Sequence, residues 1–280
     1  MNLKIRRTQA MNNFWQRTLT GIAFVAVILT SIYFQDKYFI FTGIFGLVNI
    51  LALYEFYKIT NISDRVNVPT IYLIICGTIL YFGCFWLAKY GGEIVIVCYA
   101  MCIVALLIAE LYRKKAAPTH NIAFSLMGQA IVAVPFGLLN FIAIQQNVYW
   151  LYALFILIWT FDTGAYVFGV SFGKHKIFPR ISPKKSWEGE IGGAILTIIG
   201  SLIFAYFTPE VAIWKWIVFG SLIIIFGTYG DLSESLLKRT ASLKDSGTIL
   251  PGHGGMLDRF DSLMLIIPVI YIYLQFIEEI

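Results

Sequence analysis

"HGGMLDRFDSLMLIIP", residues 253–268, joins two kinds of sequence. From Leu263 it reads as the start of an apolar helix. The half before it carries His253, Gly254, Gly255, Asp258, Arg259 and Asp261. An ionised group inside a membrane span costs about 2.5–3.5 kcal/mol on insertion scales, so such groups face a partner or a wet cavity. Charge gathered at the mouth of a span therefore needs a chemical reason.

The run after Leu263 has many companions. The 280-residue chain is 59% hydrophobic and 13% charged, against roughly 25% charged residues in an ordinary soluble domain. Apolar runs near the roughly 17–25 residues that cross a bilayer recur from end to end. The predicted fold is all-α, a polytopic integral membrane protein of about nine spans. These are Thr18–Phe34, Tyr38–Tyr57, Ile71–Ala88, Ile94–Tyr112, Ile122–Ile144, Val148–Val170, Ile191–Phe207, Trp214–Tyr229 and Leu263–Ile277. Helices satisfy their own backbone groups in lipid, and the runs are too continuous for barrel strands. No small-x-small cleavage site follows the first span, so it is not read as a cleaved signal.

Lys and Arg set the expected orientation. With the N-terminus in the cytoplasm, 18 of the 21 basic residues fall on the cytoplasmic side, and only Lys37, Lys89 and Lys215 on the other. That bias supports the alternation of spans and predicts a C-terminus outside. The net charge of +5 then reflects topology and anionic headgroups rather than nucleic acid. Cys76, Cys84, Cys98 and Cys102 lie inside spans three and four with no zinc-type spacing and read as small side chains. Gln129 and Pro135 interrupt span five and read as packing or kink positions.

Residues 1–145 form a five-span bundle with short connections, and 146–280 a four-span part with long segments at 170–190 and 230–261, basic and rich in Gly, Pro and Ser. Long ordered loops in compact proteins are usually functional. Asp231 closes span eight, and Asp258 and Asp261 open span nine, three apart and so on one helix face. The two spans run in opposite directions, so these ends can adjoin. Three carboxylates at one depth repel unless a cation lies between them; the competing reading is that Asp231 caps a helix while Asp258 and Asp261 pair with Arg259 or Lys238. Oxygen ligands without Cys or paired His favour Mg²⁺, one or two ions, or Mn²⁺. Magnesium bound by few carboxylates calls for substrate phosphates.

The basic residues agree with that. Lys238, Arg239 and Lys244 form one cluster, and Ser182, Lys184, Lys185 and Ser186 another; such groups bind phosphate oxygens, with hydroxyls as further donors. If residues 231–239 are helical, Asp231, Ser235 and Lys238 share a face. Asp162, well inside span six, serves either the site or a helix-packing hydrogen bond. "PGHGG" permits close approach of backbone to an anion, and His253 is either a phosphate or proton-transfer group or a turn residue.

Residues 235–261, "SLLKRTASLKDSGTILPGHGGMLDRFD", resemble the C-terminal motif of phosphatidate cytidylyltransferases, also called CDP-diacylglycerol synthases. Ser235, Lys238, Arg239, Lys244, Asp245, Gly247, Pro251, His253, Gly254, Gly255, Asp258, Arg259 and Asp261 all fall in that pattern. "DTGAYVFG", "FGKHK" and "SPKKSWEG" resemble the family's upstream stretches, whereas the first 145 residues match only as apolar spans. The resemblance implies that CTP and phosphatidate give CDP-diacylglycerol and pyrophosphate at the cytoplasmic face of a bacterial-type inner membrane. It implies that Asp231, Asp258 and Asp261 hold the metal and that Lys184, Lys185, Lys238, Arg239 and Lys244 bind phosphates. Ser182, Ser235 and Arg259 would also bind substrate, Asp245 with Ser182 would support the site, His253, Gly254 and Gly255 would shape its floor, and a homodimer is compatible with it. Two other classes fit the residues alone: another metal-dependent membrane phosphotransferase (a lipid kinase or a polyprenyl-phosphate transferase), and an ion-coupled transporter. The lack of repeat symmetry counts against the transporter.

Overall fold

The computed structural model describes residues 20–62, 66–247, 249 and 254–278. Pro251 and His253 lie outside the described residues, as do the first two residues of the expected first span. The chain is an all-α, multi-pass membrane protein. Among the described residues eight helices are long and apolar enough to cross a membrane, and α1 (Thr20–Tyr33) is a shorter apolar helix. After the short α2 (Gln35–Tyr38) come α3 (Ile40–Thr60), α4 (Thr70–Tyr90) and α5 (Ile94–Tyr112). The next span is α6 (Pro118–Gly128), a π turn (Gln129–Ala133) and α7 (Val134–Gln145) in series. Then follow α8 (Val148–Phe172), a hairpin of β1 (Lys176–Phe178) and β2 (Ser182–Ser186), α9 (Trp187–Phe207), α10 (Ile213–Thr240) and α11 (Leu257–Glu278).

Two helices run past their apolar cores. Helix α10 continues from Tyr229 to Thr240, and α11 starts at Leu257 rather than Leu263. The polar ends are helical because the motif residues on them find partners, so Asp231, Ser235 and Lys238 do lie on helix, as do Asp258 and Asp261. The basic segment expected at 170–190 folds in part as a β-hairpin. β1 and β2 pair antiparallel, Lys176 opposite Ser186 and Phe178 opposite Ser182. The Ser186 hydroxyl then accepts from the Gly189 amide at 3.4 Å and caps α9.

Helix α3 is the most enclosed span, with Leu53, Phe56 and Tyr57 fully buried. Helix α5 buries only Leu106 and Glu110; its other face, with Ile96, Val97, Met101 and Leu111 exposed, is what a lipid-facing helix presents. Gln129, which begins the π turn, is buried, and its Nε2 donates to Tyr57 Oη at 2.8 Å and to the Leu73 carbonyl at 2.9 Å. Helix α11 packs on α10, and also on α7 and α3, so one apolar core runs through both parts of the chain.

Small residues bring the C-terminal helices together. In lipid, association relies on close packing, which small side chains permit. Gly189 and Gly193 sit one turn apart on α9 against α8; a Cβ at Gly189 would lie 2.6 Å from the Ala165 carbonyl oxygen, and one at Gly193 2.7 Å from that of Phe161. At Gly230 a Cβ would come within 2.9 Å of the Asp261 carbonyl oxygen and Ser262 Cα. The backbones of α10 and α11 therefore touch beside Asp231 and Asp261.

Candidate active site

That contact gathers carboxylates. Asp231 and Glu234 on α10 and Asp261 on α11 each offer an oxygen, and the three atoms lie within 4.8 Å of one another. Asp231 and Glu234 are i and i+3 on one helix face. Like charges so close need compensation. Lys185 Nζ, from β2, lies 2.8 Å from Asp231 Oδ2 and 3.6 Å from Glu190 Oε1. Burial acts against the charged form of Lys185, but Asp231 and Glu190 outweigh it and hold its pKa above the ordinary lysine value. Glu190 is fixed in turn by the Thr228 hydroxyl, which donates to its Oε2 at 2.6 Å. Lys238 pairs with both Glu234 and Asp258. Two lysines are thus shared among four carboxylates. Asp261 accepts from the amide and hydroxyl of Ser262 at 2.7 and 3.3 Å, and Glu234 Oε1 is buried without a hydrogen-bond donor among the described residues.

The expected metal set was Asp231, Asp258 and Asp261; the set that converges is Asp231, Glu234 and Asp261. Asp258 turns into the loop before α11. Its Oδ1 lies 2.6 Å from Lys238 Nζ, and its Oδ2 accepts from the amides of Ser246 and Gly255 at 2.9 and 2.8 Å. Both amides belong to the loop that precedes α11, so Asp258, in the first turn, ties that loop to the helix start. One turn later Asp261 has no such task and faces α10.

The convergent trio suits a hard divalent cation. An octahedral ion with oxygens at about 2.1 Å holds its ligand atoms about 3–4 Å apart, and the three carboxylate oxygens lie within 4.8 Å of one another. Surplus carboxylate charge and the orphaned Glu234 oxygen are what such an ion satisfies.

A cavity of about 1010 Å³ opens beside the trio. Its polar wall carries Asp162, Ser182, Lys184, Lys185, Glu190, Asp231, Asp258, Arg259 and Asp261; its apolar wall carries Phe24, Val25, Trp159, Tyr166 and Val170. Asp162 therefore belongs to the cavity rather than to a helix contact. Ser235 Oγ lies 3.4 Å from Asp231 Oδ1. Arg239 is exposed and donates to the carbonyls of Ile181 and Leu243 at 3.4 and 2.9 Å, linking the hairpin to the loop before α11. Lys244 and Asp245 are exposed in that loop and do not line the cavity. Gly254 takes φ +82°, a left-handed backbone that favours glycine, and Gly255 offers its amide to Asp258.

Sequence reasoning overlooked Glu234, Glu190 and Glu55. The first two, in reverse order, lie in "KKSWEGE" (184–190) and "DLSESLLKR" (231–239), and Glu234 follows Asp231 at helical spacing. Glu55 is a lone acid in the apolar run "LALYEFY", the setting in which a charge calls for a partner.

The fold and site together define a mainly α-helical, multi-pass membrane protein with a buried acid–lysine cluster beside a cavity of mixed polarity. The family model for the cytidylyltransferase family matches residues 15–277, and the chain belongs to that family. It is 47% identical over 154 residues to a phosphatidate cytidylyltransferase of Staphylococcus aureus. It is 46% identical over 155 residues to one of Staphylococcus haemolyticus and 43% over 153 residues to one of Staphylococcus saprophyticus. Each match covers 54% of this chain and 58% of the relative, so the chain spans somewhat more than half the length of the curated relatives it matches.

Proposed function

We propose that this protein transfers the cytidylyl group of CTP to phosphatidate, giving CDP-diacylglycerol and pyrophosphate, as the names of its relatives indicate for them. The observation that carries this reading is the cavity in which an apolar wall meets a polar wall of acids and lysines. A lipid with a phosphate headgroup needs such a surface. Acyl chains lie along Phe24, Trp159 and Tyr166, and the headgroup reaches Lys184 and Lys185. The site faces the cytoplasm, where CTP is found, in keeping with the bias of Lys and Arg.

The nucleophile comes with the substrate. A phosphate monoester has a second pKa near ~6 and is largely ionised at neutral pH, so no strong general base is needed. The protein's work is to hold two polyanions in line and to stabilise the charge that passes to pyrophosphate. Asp231, Glu234 and Asp261 would hold Mg²⁺ or Mn²⁺, which supplies positive charge to the triphosphate. Lys185, held beside Asp231, would offer its Nζ as a charged hydrogen-bond donor to a substrate phosphate. Ser182 and Lys184 extend the phosphate surface from β2, and Asp258 keeps Lys238 directed at the cluster.

Purified full-length protein in detergent, given CTP, Mg²⁺ and phosphatidate, is expected to release pyrophosphate and form CDP-lipid, with ATP and other lipid phosphates as poor substitutes. Transfer from ATP instead, or solute flux in liposomes without nucleotide turnover, would overturn the proposal.

A further inference from the structure

Glu55 lies on α3, in the part of the chain that the sequence motif does not reach, and is 1% exposed. Its Oε2 accepts from Ser246 Oγ at 3.0 Å and from the Leu257 amide at 2.8 Å. Those donors are the two ends of the loop that carries the signature glycines. Leu257 begins α11, so its amide is one of those a helix leaves without an internal acceptor. Glu55 supplies that acceptor from about 200 residues away in the chain, and its negative charge sits at the positive end of the helix.

The loop is shaped to receive this carboxylate. A Cβ at Gly247 would stand 2.9 Å from Glu55 Cδ, and one at Gly255 2.7 Å from Glu55 Oε1. Glycine at both positions lets the backbone close around the acid. Ser246, which Glu55 holds, and Gly255, whose backbone lies close against Glu55, also donate their amides to Asp258. Asp258 in turn holds Lys238, which pairs with Glu234 of the trio. A continuous set of contacts runs from Glu55 through the loop to the acid cluster.

We propose that Glu55 is a positioning residue for the reaction, a capping carboxylate from the N-terminal bundle that fixes the start of α11 and thereby the facing of Asp258 and Asp261. The proposal rests on the cytidylyltransferase reading for its kinetic readout and on amide exchange for an independent one.

The test compares Glu55→Ala and Glu55→Gln with Glu110→Gln, another buried carboxylate, which lies outside the cavity lining. In Glu55→Ala, kcat is expected to fall about 10–100-fold, the range for loss of a residue that orients others, with KM for CTP changed less than threefold. Exchange in peptides covering residues 246–258 rises at least tenfold while α3, α7 and α8 keep wild-type protection. Glu55→Gln, which retains one carbonyl acceptor, recovers part of kcat; if the alanine variant does not fold, this variant alone is read for lowered kcat and faster loop exchange. Glu110→Gln keeps kcat within twofold. Wild-type kcat and exchange in a folded Glu55 variant would overturn the proposal, as would a kcat loss with faster exchange throughout all helices. Absence of CDP-lipid formation by the wild-type protein defeats the reaction assignment instead, and the exchange result then decides the role of Glu55 alone.

Discussion

Two buried glutamates in this protein have opposite surroundings. Glu110, at the end of α5, has a donor on each oxygen: Arg113 Nη1 at 2.7 Å on Oε2 and Asn121 Nδ2 at 2.6 Å on Oε1. Arg113 goes on to the carbonyl and side-chain oxygens of Asn67, and the Asn67 amide closes the ring onto Asn121. One negative charge meets one positive charge, and all four residues tie two loops together. Glu234, on α10, shares a single lysine with Asp258, leaves one oxygen without a hydrogen-bond donor among the described residues, and lies against two more acids. A buried acid with complete partners stabilises a fold. A group of acids in excess of their partners, beside a cavity, costs stability unless a ligand compensates it.

That contrast predicts how each carboxylate responds when neutralised. Glu234→Gln and Asp261→Asn are expected to lower turnover about 10²–10³-fold, the scale of removing an electrostatic stabiliser from a reaction site, while the melting temperature stays level or rises. Full activity in both, measured as CDP-lipid formed per folded protein, would merge the two classes of acid into one. Asp258→Asn should cost less, about 10–100-fold, because it orients Lys238 and the loop rather than joining the trio. Raising Mg²⁺ is expected to recover little of that loss, and full recovery would return Asp258 to the metal set. Gly230→Ala forces α10 from α11 where they touch, with an overpacking cost of about 1–3 kcal/mol. Turnover should drop roughly tenfold by the same energy scale, and a lowered melting point should accompany it. Glu110→Gln is the smallest effect on turnover and the largest on stability. Breaking a buried pair costs about 3–5 kcal/mol, read as a depressed melting temperature with turnover within twofold.

Much of this was legible in the chain. The apolar runs name the spans because a helix in lipid must be apolar over its length. The charge at both mouths of the loop 230–261 marked the site, and antiparallel neighbours bring Asp231 and Asp261 to one depth. The i,i+3 spacing of Asp258 and Asp261 brings both to the cavity wall, but Asp258 also accepts from the amides of Ser246 and Gly255 and so stands apart from the trio. The β1–β2 hairpin also escaped sequence reading, since its strands are short, basic and exposed, without the alternation that a half-buried strand shows.

Composition, apolar periodicity and the clustering of Asp, Lys and Gly are local properties of the chain, and they were enough for the membrane class, the order of spans and the approach of Asp231 to Asp261. Which oxygens share a cation site, which lysine answers which acid, and the reach of Glu55 to Leu257 are contacts between segments far apart in the chain. They depend on how closely helices approach, which is decided at positions such as Gly230 by the backbone opposite. No pattern of residue types along one segment carries that distance.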